Sequence, residues 1–298
     1  MMKKLLYSSL IFLTLFIYSN PRYAYCCDNN VIKYAKDISV TILTEMQVLD
    51  AETRELESST LITSCSGIVI HKDGKNFILT VAHSFKIPHT TLMIKMAIEN
   101  MGNFTTRPII HAIQVTKNKK GGDCITKYEI VPVKINHTND CALLFLKGQL
   151  STHKVRFNDK MLNAGDEILS MSSPLGIMRH DALYEGIVSY TNRKLEGFTC
   201  DIDELNMSTD SGSSGGMVFT PDGAYVGMVK GMGFSDGVKN NSYSYMIPFR
   251  VIKKWLTDEG LLWLINDDPI PEDLLVKKTV RRLPGIPPIK LKGTESEK

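Results

Sequence analysis

Short β-type runs separated by turn signals recur along most of the chain and leave little room for any other class of fold. They are "ISVTIL" (Ile38 to Leu43), "GIVIHKDGKNFILTVAH" (Gly67 to His83), "PVKIN" (Pro132 to Asn136), "CALLFLK" (Cys141 to Lys147), "EILSMSS" (Glu167 to Ser173), "GIVSYTN" (Gly186 to Asn192), "GGMVFTPDGAYVGMVKG" (Gly215 to Gly231) and "SYSYMIP" (Ser242 to Pro248). Each is apolar throughout or alternates at the period of a half-buried strand. Asp73 with Gly74 and Asp222 with Gly223 mark tight hairpin connections. Only part of Thr91 to Met101 and "PFRVIKKWLTDEGLLWLI" (Pro248 to Ile265) read as helix. In the second, Pro248 suits a first turn, and Val251, Trp255 and Leu256 share a face. Many short strands closed by one helix predict barrels or sandwiches and argue against a βαβ arrangement.

With 298 residues, 43% hydrophobic and 22% charged, the chain can bury one large or two small cores and is neither fibrous nor wholly disordered. Its formal charge of +3 is too small a surplus to make nucleic acid the partner. Lys3 and Lys4 precede the apolar run Leu5 to Tyr18, which is the layout of a signal peptide over residues 1–26, with Ala24 and Cys26 at the small-residue positions for cleavage. This predicts a secreted or periplasmic protein. The alternative is an uncleaved N-terminal anchor that tethers the protein to a membrane with the rest outside the cytoplasm. Residues 263–298 carry five prolines and dense charge, which predicts a disordered extension.

The six cysteines form no CxxC pair and no Cys/His cluster at metal spacing, so neither a metal site nor another cofactor is expected. Disulfides and buried free thiols both remain open for them. The most distinctive motif is "DSGSSGG" (Asp210 to Gly216). It contains the GxSxG pattern centred on Ser214, but a nucleophile elbow needs a helix after the serine and a later histidine. Here a hairpin pattern follows, and the last histidine is His180. A phosphate loop fails as well, because no lysine follows and no helix opens there.

The order that does occur is His83 at the end of "FILTVAHSF", Asp140 in "HTNDCALLFLK", then Ser214. With "SSPLGIMRHDALYEGIVSYTNR" and "YSYMIPFRVIKKWL" following the same sequence of motifs, the chain from about Ser64 to Leu256 resembles the trypsin-like serine peptidases of chymotrypsin fold. Within them it is most similar to the HtrA/Deg-like branch, without a PDZ domain. The resemblance implies an all-β fold of two six-stranded antiparallel barrels with a C-terminal helix. The peptidase domain would cover residues 38–262, with barrels over about 38–147 and 157–248.

It also implies a serine endopeptidase acting on protein or peptide substrates. Ser214 would be the nucleophile, His83 its general base, and Asp140 the group that fixes the imidazole. Gly212 would let the chain bend so that its N–H and that of Ser214 converge on an oxyanion. Ser208 would floor the primary specificity pocket, and Lys230, Gly231 and Met232 would flank the substrate. With Ser208 uncharged and Met207, Met228 and Met232 nearby, the reading favours cleavage after small or medium apolar residues, Asp210 notwithstanding.

Three positions depart from the pattern. Met217 replaces a usual proline, Ser84 a frequent cysteine, and Lys230 a usual small residue. Two rival functions remain, a catalytically silent binding module on the same barrels and an esterase using the same triad. A fusion of residues 1–30 to a reporter should direct it across the membrane, and the mature chain should begin near Cys27 or Asp28 by N-terminal mass analysis; a full-length cytoplasmic product would contradict the signal reading.

Overall fold

The computed structural model describes residues 28–86, 89–117, 123–194, 200–235, 238–272 and 274. Its strands close into two antiparallel barrels. The first contains β1 (Ser39–Asp50), β2 (Leu56–Lys72), β3 (Lys75–Val81), β4 (Phe104–Lys117), β5 (Asp123–Asn136) and β6 (Cys141–Leu146), in the order β1-β2-β3-β6-β5-β4, with β4 closing on β1. The second contains β7 (Glu167–Ser172), β8 (Ala182–Arg193), β9 (Ile202–Asn206), β10 (Met217–Phe219), β11 (Tyr225–Ser235) and β12 (Val238–Pro248). It repeats the connectivity as β7-β8-β9-β12-β11-β10, with β10 closing on β7. Closure leaves neither barrel an open sheet edge. The expected all-β double barrel with a C-terminal helix is therefore the fold the chain adopts.

The turns follow from their residues. Lys72 pairs with Lys75 across Asp73 and Gly74, whose φ of 46° and 71° make a two-residue hairpin of the primed type. At the second turn, Pro221 and Asp222 occupy the centre, and the Gly223 N–H donates to the Thr220 carbonyl at 2.7 Å. β4 was not foreseen from the sequence. It contains Pro108, which pairs with Met46 of β1, whereas pairing with β5 starts only at His111, so the missing N–H costs the β4–β5 ladder nothing.

Among the described residues, three α-helices accompany the barrels: α1 (Asn29–Ile38), α2 (His89–Asn100) and α3 (Phe249–Asp258). α1 is a second unforeseen element. It opens on two asparagines, Asp28 caps it by accepting from the Asn30 N–H, and Ala35 and Ile38 are buried. α3 starts after Pro248 and buries Phe249, Ile252, Trp255 and Leu256. Its Arg250 makes a paired contact with the fully buried Asp203, at 2.9 and 2.6 Å, which balances that charge.

Three apolar clusters hold the molecule together. Val40, Ile42, Val69, Ile78 and Leu144 fill the first barrel, and Ile168, Val188, Leu205, Val226 and Met246 the second. The third lies between them, where Phe77, Leu79 and Leu143 of one barrel meet Met171, Met217 and Phe219 of the other beneath α3. This outer face of β3 and β6 explains why "FILTV" and "CALLFL" read as continuous apolar runs: their strands are covered on both sides.

The expectation of a disordered extension from residue 263 is corrected. Leu261, Trp263, Leu264 and Ile270 are buried in the third cluster, and the Trp263 ring meets Phe77 edge-on at 5.1 Å. Lys72 Nζ donates to the Asn266 carbonyl at 2.8 Å, and the Ile270 N–H to Asp73 at 3.2 Å. These apolar residues are too closely spaced to be left in water, whatever the prolines that follow them. Residues 275–298 and the signal reading over 1–26 lie outside the described residues. Trp263→Ala should lower unfolding stability by about 3–5 kcal/mol, read as a fall in the urea midpoint, whereas deletion of residues 275–298 should leave the midpoint nearly unchanged.

Candidate active site

The junction of the two barrels gathers the residues singled out by the sequence. β3 ends at Val81, and His83 opens a short 3-10 turn, His83–Phe85. Across from it, Asp140 stands directly before β6 in a left-handed conformation, φ 53°, which aspartate tolerates better than most residues. Its carbonyl accepts the Ala82 N–H at 3.1 Å. Asp140 Oδ1 accepts the backbone N–H of His83 at 2.8 Å, and Oδ2 lies 2.8 Å from His83 Nδ1. An ionised carboxylate only accepts, so this contact puts the imidazole proton on Nδ1 and leaves the lone pair on Nε2.

Asp140 is buried, whereas the His83 side chain is 43% exposed. Burial by itself would raise the Asp140 pKa. The hydrogen bond and charge of His83 and the ammonium of Lys230 outweigh it and bring the carboxyl down to about 2. Lys230 Nζ donates to Asp140 Oδ2 at 2.6 Å. Cys141 and Cys200 also lie here, both with Sγ directed at the Asn139 carbonyl, at 3.3 and 3.9 Å.

Ser214 sits on the loop between β9 and β10. Gly212, φ 96°, gives that loop its bend, and a Cβ there would come within 2.8 Å of the Ser173 carbonyl. Gly215, φ 82°, packs so closely that a Cβ would meet the Ser66 carbonyl at 2.1 Å. The loop is sewn to both barrels. The Ser66 N–H of β2 donates to the Ser214 carbonyl at 2.8 Å, and the Gly215 N–H to the Val229 carbonyl of β11 at 2.7 Å.

Ser66 is the residue that sequence reasoning missed. Its Oγ donates to the Gly212 carbonyl and accepts the Ser173 N–H, both at 2.7 Å. The Ser211 carbonyl is held in turn by the Leu175 N–H at 2.8 Å. With both neighbouring carbonyls engaged, the N–H groups of Gly212 and Ser214 have no acceptor among the described residues. Nothing in "TSCSGIVI" signals this role, because it depends on a loop more than a hundred residues away.

The Ser214 hydroxyl donates to the Lys230 carbonyl at 3.1 Å, and no hydrogen bond joins it to His83 among the described residues. Lys230 therefore bridges the two halves, with its carbonyl on Ser214 and its ammonium on Asp140. Gly231 and Met232 continue β11 and pair with Tyr245 and Ser244 of β12. Ser208 is exposed. Of the methionines read as a pliable pocket, Met207 is instead buried in the core of the second barrel and Met228 in the inter-barrel cluster, and only Met232 is partly exposed. Asp210 lies 3.7 Å from Arg179.

Cys65, Cys141 and Cys200 are free thiols, and burial pushes Cys65 up to about 11. Among the described residues no three His, Cys, Asp or Glu side chains gather as a metal cluster would.

The family model described as "Trypsin-like peptidase domain" matches residues 65–228, more than half of the 298-residue chain. No curated protein matches it.

The Asp140 carboxylate makes stability depend on acid in a defined window. Its pKa is lower in the folded protein than its ordinary 3.8, so its contribution is fully present above about pH 4 and is lost as pH falls toward 2. Urea midpoints measured across this range should converge for the wild type and Asp140→Asn, with the pH-dependent part amounting to roughly 2 kcal/mol.

Proposed function

The chain belongs to the trypsin-like peptidase family, and from that premise we propose that it is a serine endopeptidase working through His83, Asp140 and Ser214. The observation that carries this reading is the 2.8 Å contact of His83 Nδ1 with the buried Asp140, on the same side of the barrel junction as the tethered Ser214 loop. Peptide or protein substrates follow from the family. Secretion or an N-terminal membrane tether, and kinship with HtrA/Deg-like enzymes, rest on the sequence motifs.

In the proposed reaction a peptide lies along β11 near Gly231 and Met232. Its approach draws the Ser214 hydroxyl away from the Lys230 carbonyl toward His83 Nε2, since catalytic hydrogen bonds often form only in the complex. Nε2 takes the Ser214 proton as Oγ attacks the scissile carbonyl, and the displaced electron pair settles on the carbonyl oxygen. The N–H groups of Gly212 and Ser214 receive that oxyanion. The imidazolium then gives its proton to the leaving amine, and the acyl-enzyme forms. Water, activated by the same Nε2, repeats the attack and releases the acid. Throughout, Asp140 holds the tautomer and balances the charge on the ring.

Preference for small or medium apolar residues at the cleavage site is retained on narrower grounds. Ser208 brings no charge, and Asp210 lies near Arg179, so neither offers an incoming cation an unengaged carboxylate.

A single observation favours the silent binding module, namely the resting donation of Ser214 to Lys230. Three measurements decide. A fluorophosphonate probe should modify Ser214, as located by mass spectrometry. Ser214→Ala and His83→Ala should each reduce peptide turnover by roughly 10⁴-fold or more with little further loss in the double mutant. Comparison of peptide and ester substrates identifies an esterase. Absence of labelling, or losses that multiply in the double mutant, would contradict the triad.

A further inference from the structure

Besides the His83 ring, Asp140 has a cationic neighbour. Lys230 Nζ donates to Oδ2 at 2.6 Å, the same oxygen that takes the His83 Nδ1–H at 2.8 Å. A lysine near a surface ordinarily extends its stem to place the ammonium in water. Here the side chain is only 15% exposed and the carboxylate 6%. The backbone explains the direction. The β11–β12 ladder slips at Lys230, from Val229 opposite Met246 to Gly231 opposite Tyr245, and such a bulge re-aims the extra side chain. The same bulge presents the Lys230 carbonyl to the Ser214 hydroxyl.

Few other charges can interfere. Among the described residues, the titratable groups facing this carboxylate are His83 beyond β3, Lys230 on β11, Cys141 at the start of β6 and Cys200 before β9, with Asp201 behind Cys200. Burial raises both thiols, so they stay protonated and neutral in the working range of a histidine base. Among the described residues, the charge balance at Asp140 is thus set by one imidazole and one ammonium.

Building on the reading of His83 as base and Ser214 as nucleophile, we propose that Lys230 is a positioning residue that extends the activity of His83 to lower pH. A protonated His83 would be a second cation on a carboxylate already countered by the ammonium. The lysine therefore disfavours the imidazolium and keeps Nε2 available as pH falls. The same repulsion weakens the support Asp140 gives to the imidazolium during turnover. Lys230 thus exchanges some rate on the neutral plateau for activity in mild acid. Neutral residues at this position would leave His83 as the only cation on Asp140.

The test is the pH profile of kcat/KM on a peptide substrate for wild type, Lys230→Met and Lys230→Arg. In Lys230→Met the acid limb should move up by about one pH unit. Activity relative to its own plateau should then be about fivefold lower at the wild-type midpoint, with the change in kcat rather than KM. Lys230→Arg keeps a cation and should retain the wild-type limb. A methionine limb that coincides with the wild type, or an arginine limb that moves with the methionine one, would overturn the proposal. Should Lys230→Met fail to fold, Lys230→Gln, which keeps a donor without the charge, carries the same comparison. Failure of fluorophosphonate to label Ser214 in the wild type would remove the peptidase reading itself, whereas labelling with an unmoved limb removes only the role of Lys230.

Discussion

A carboxylate buried between two barrels is costly unless its oxygens are satisfied, and the site depends on how Asp140 meets that requirement. It accepts the His83 N–H, the His83 ring and the Lys230 ammonium. The first two contacts fix where the imidazole stands and which nitrogen carries its proton. The third draws β11 toward β6. Remove the carboxylate and the histidine loses its orientation, while Lys230 loses the acceptor at 2.6 Å that turns its side chain inward.

The barrels make such a junction rigid. Phe77, Leu143, Met171, Met217 and Phe219 pack in one apolar cluster, so β3 and β6 of the first barrel are held against β7 and β10 of the second. The three candidate site residues come from the ends of these same strands. His83 follows β3, Asp140 precedes β6, and Ser214 precedes β10. A loop attached to only one barrel could drift relative to His83. Ser66 prevents this by anchoring the Gly212 and Ser214 carbonyls from the first barrel, while the Val229 carbonyl of the second accepts the loop's Gly215 N–H.

The sequence revealed what depends on local pattern. "FILTV" and "CALLFL" are apolar at every position because the interior and the inter-barrel cluster cover both faces, and such runs are hard to mistake. His83, Asp140 and Ser214 stood out through residue type, order and the glycines beside them. The structure brings His83 and Asp140 into direct contact and ties Ser214 to them through Lys230. What stayed hidden depends on long-range packing. β4 contains a proline and mixed polarity, and "IDELN" of β9 is too short and charged to stand out. Trp263 looked like part of a charged tail because the cluster that receives it is built from distant strands. Met207 and Met228 were read as pocket residues although they point into cores, and Lys230 was read for its place beside the substrate although its side chain turns to Asp140. No spacing rule reports a bulge.

The central claim is that Ser214 attacks a carbonyl whose oxygen is received by the Gly212 and Ser214 N–H groups while His83 stays on Asp140. A crystal structure of the fluorophosphonate adduct tests it most directly. The account predicts phosphorus bonded to Ser214 Oγ, with one phosphoryl oxygen about 2.7–3.1 Å from both N–H nitrogens and the His83–Asp140 contact kept. An adduct on another serine, or a phosphoryl oxygen turned away from Gly212, would contradict it.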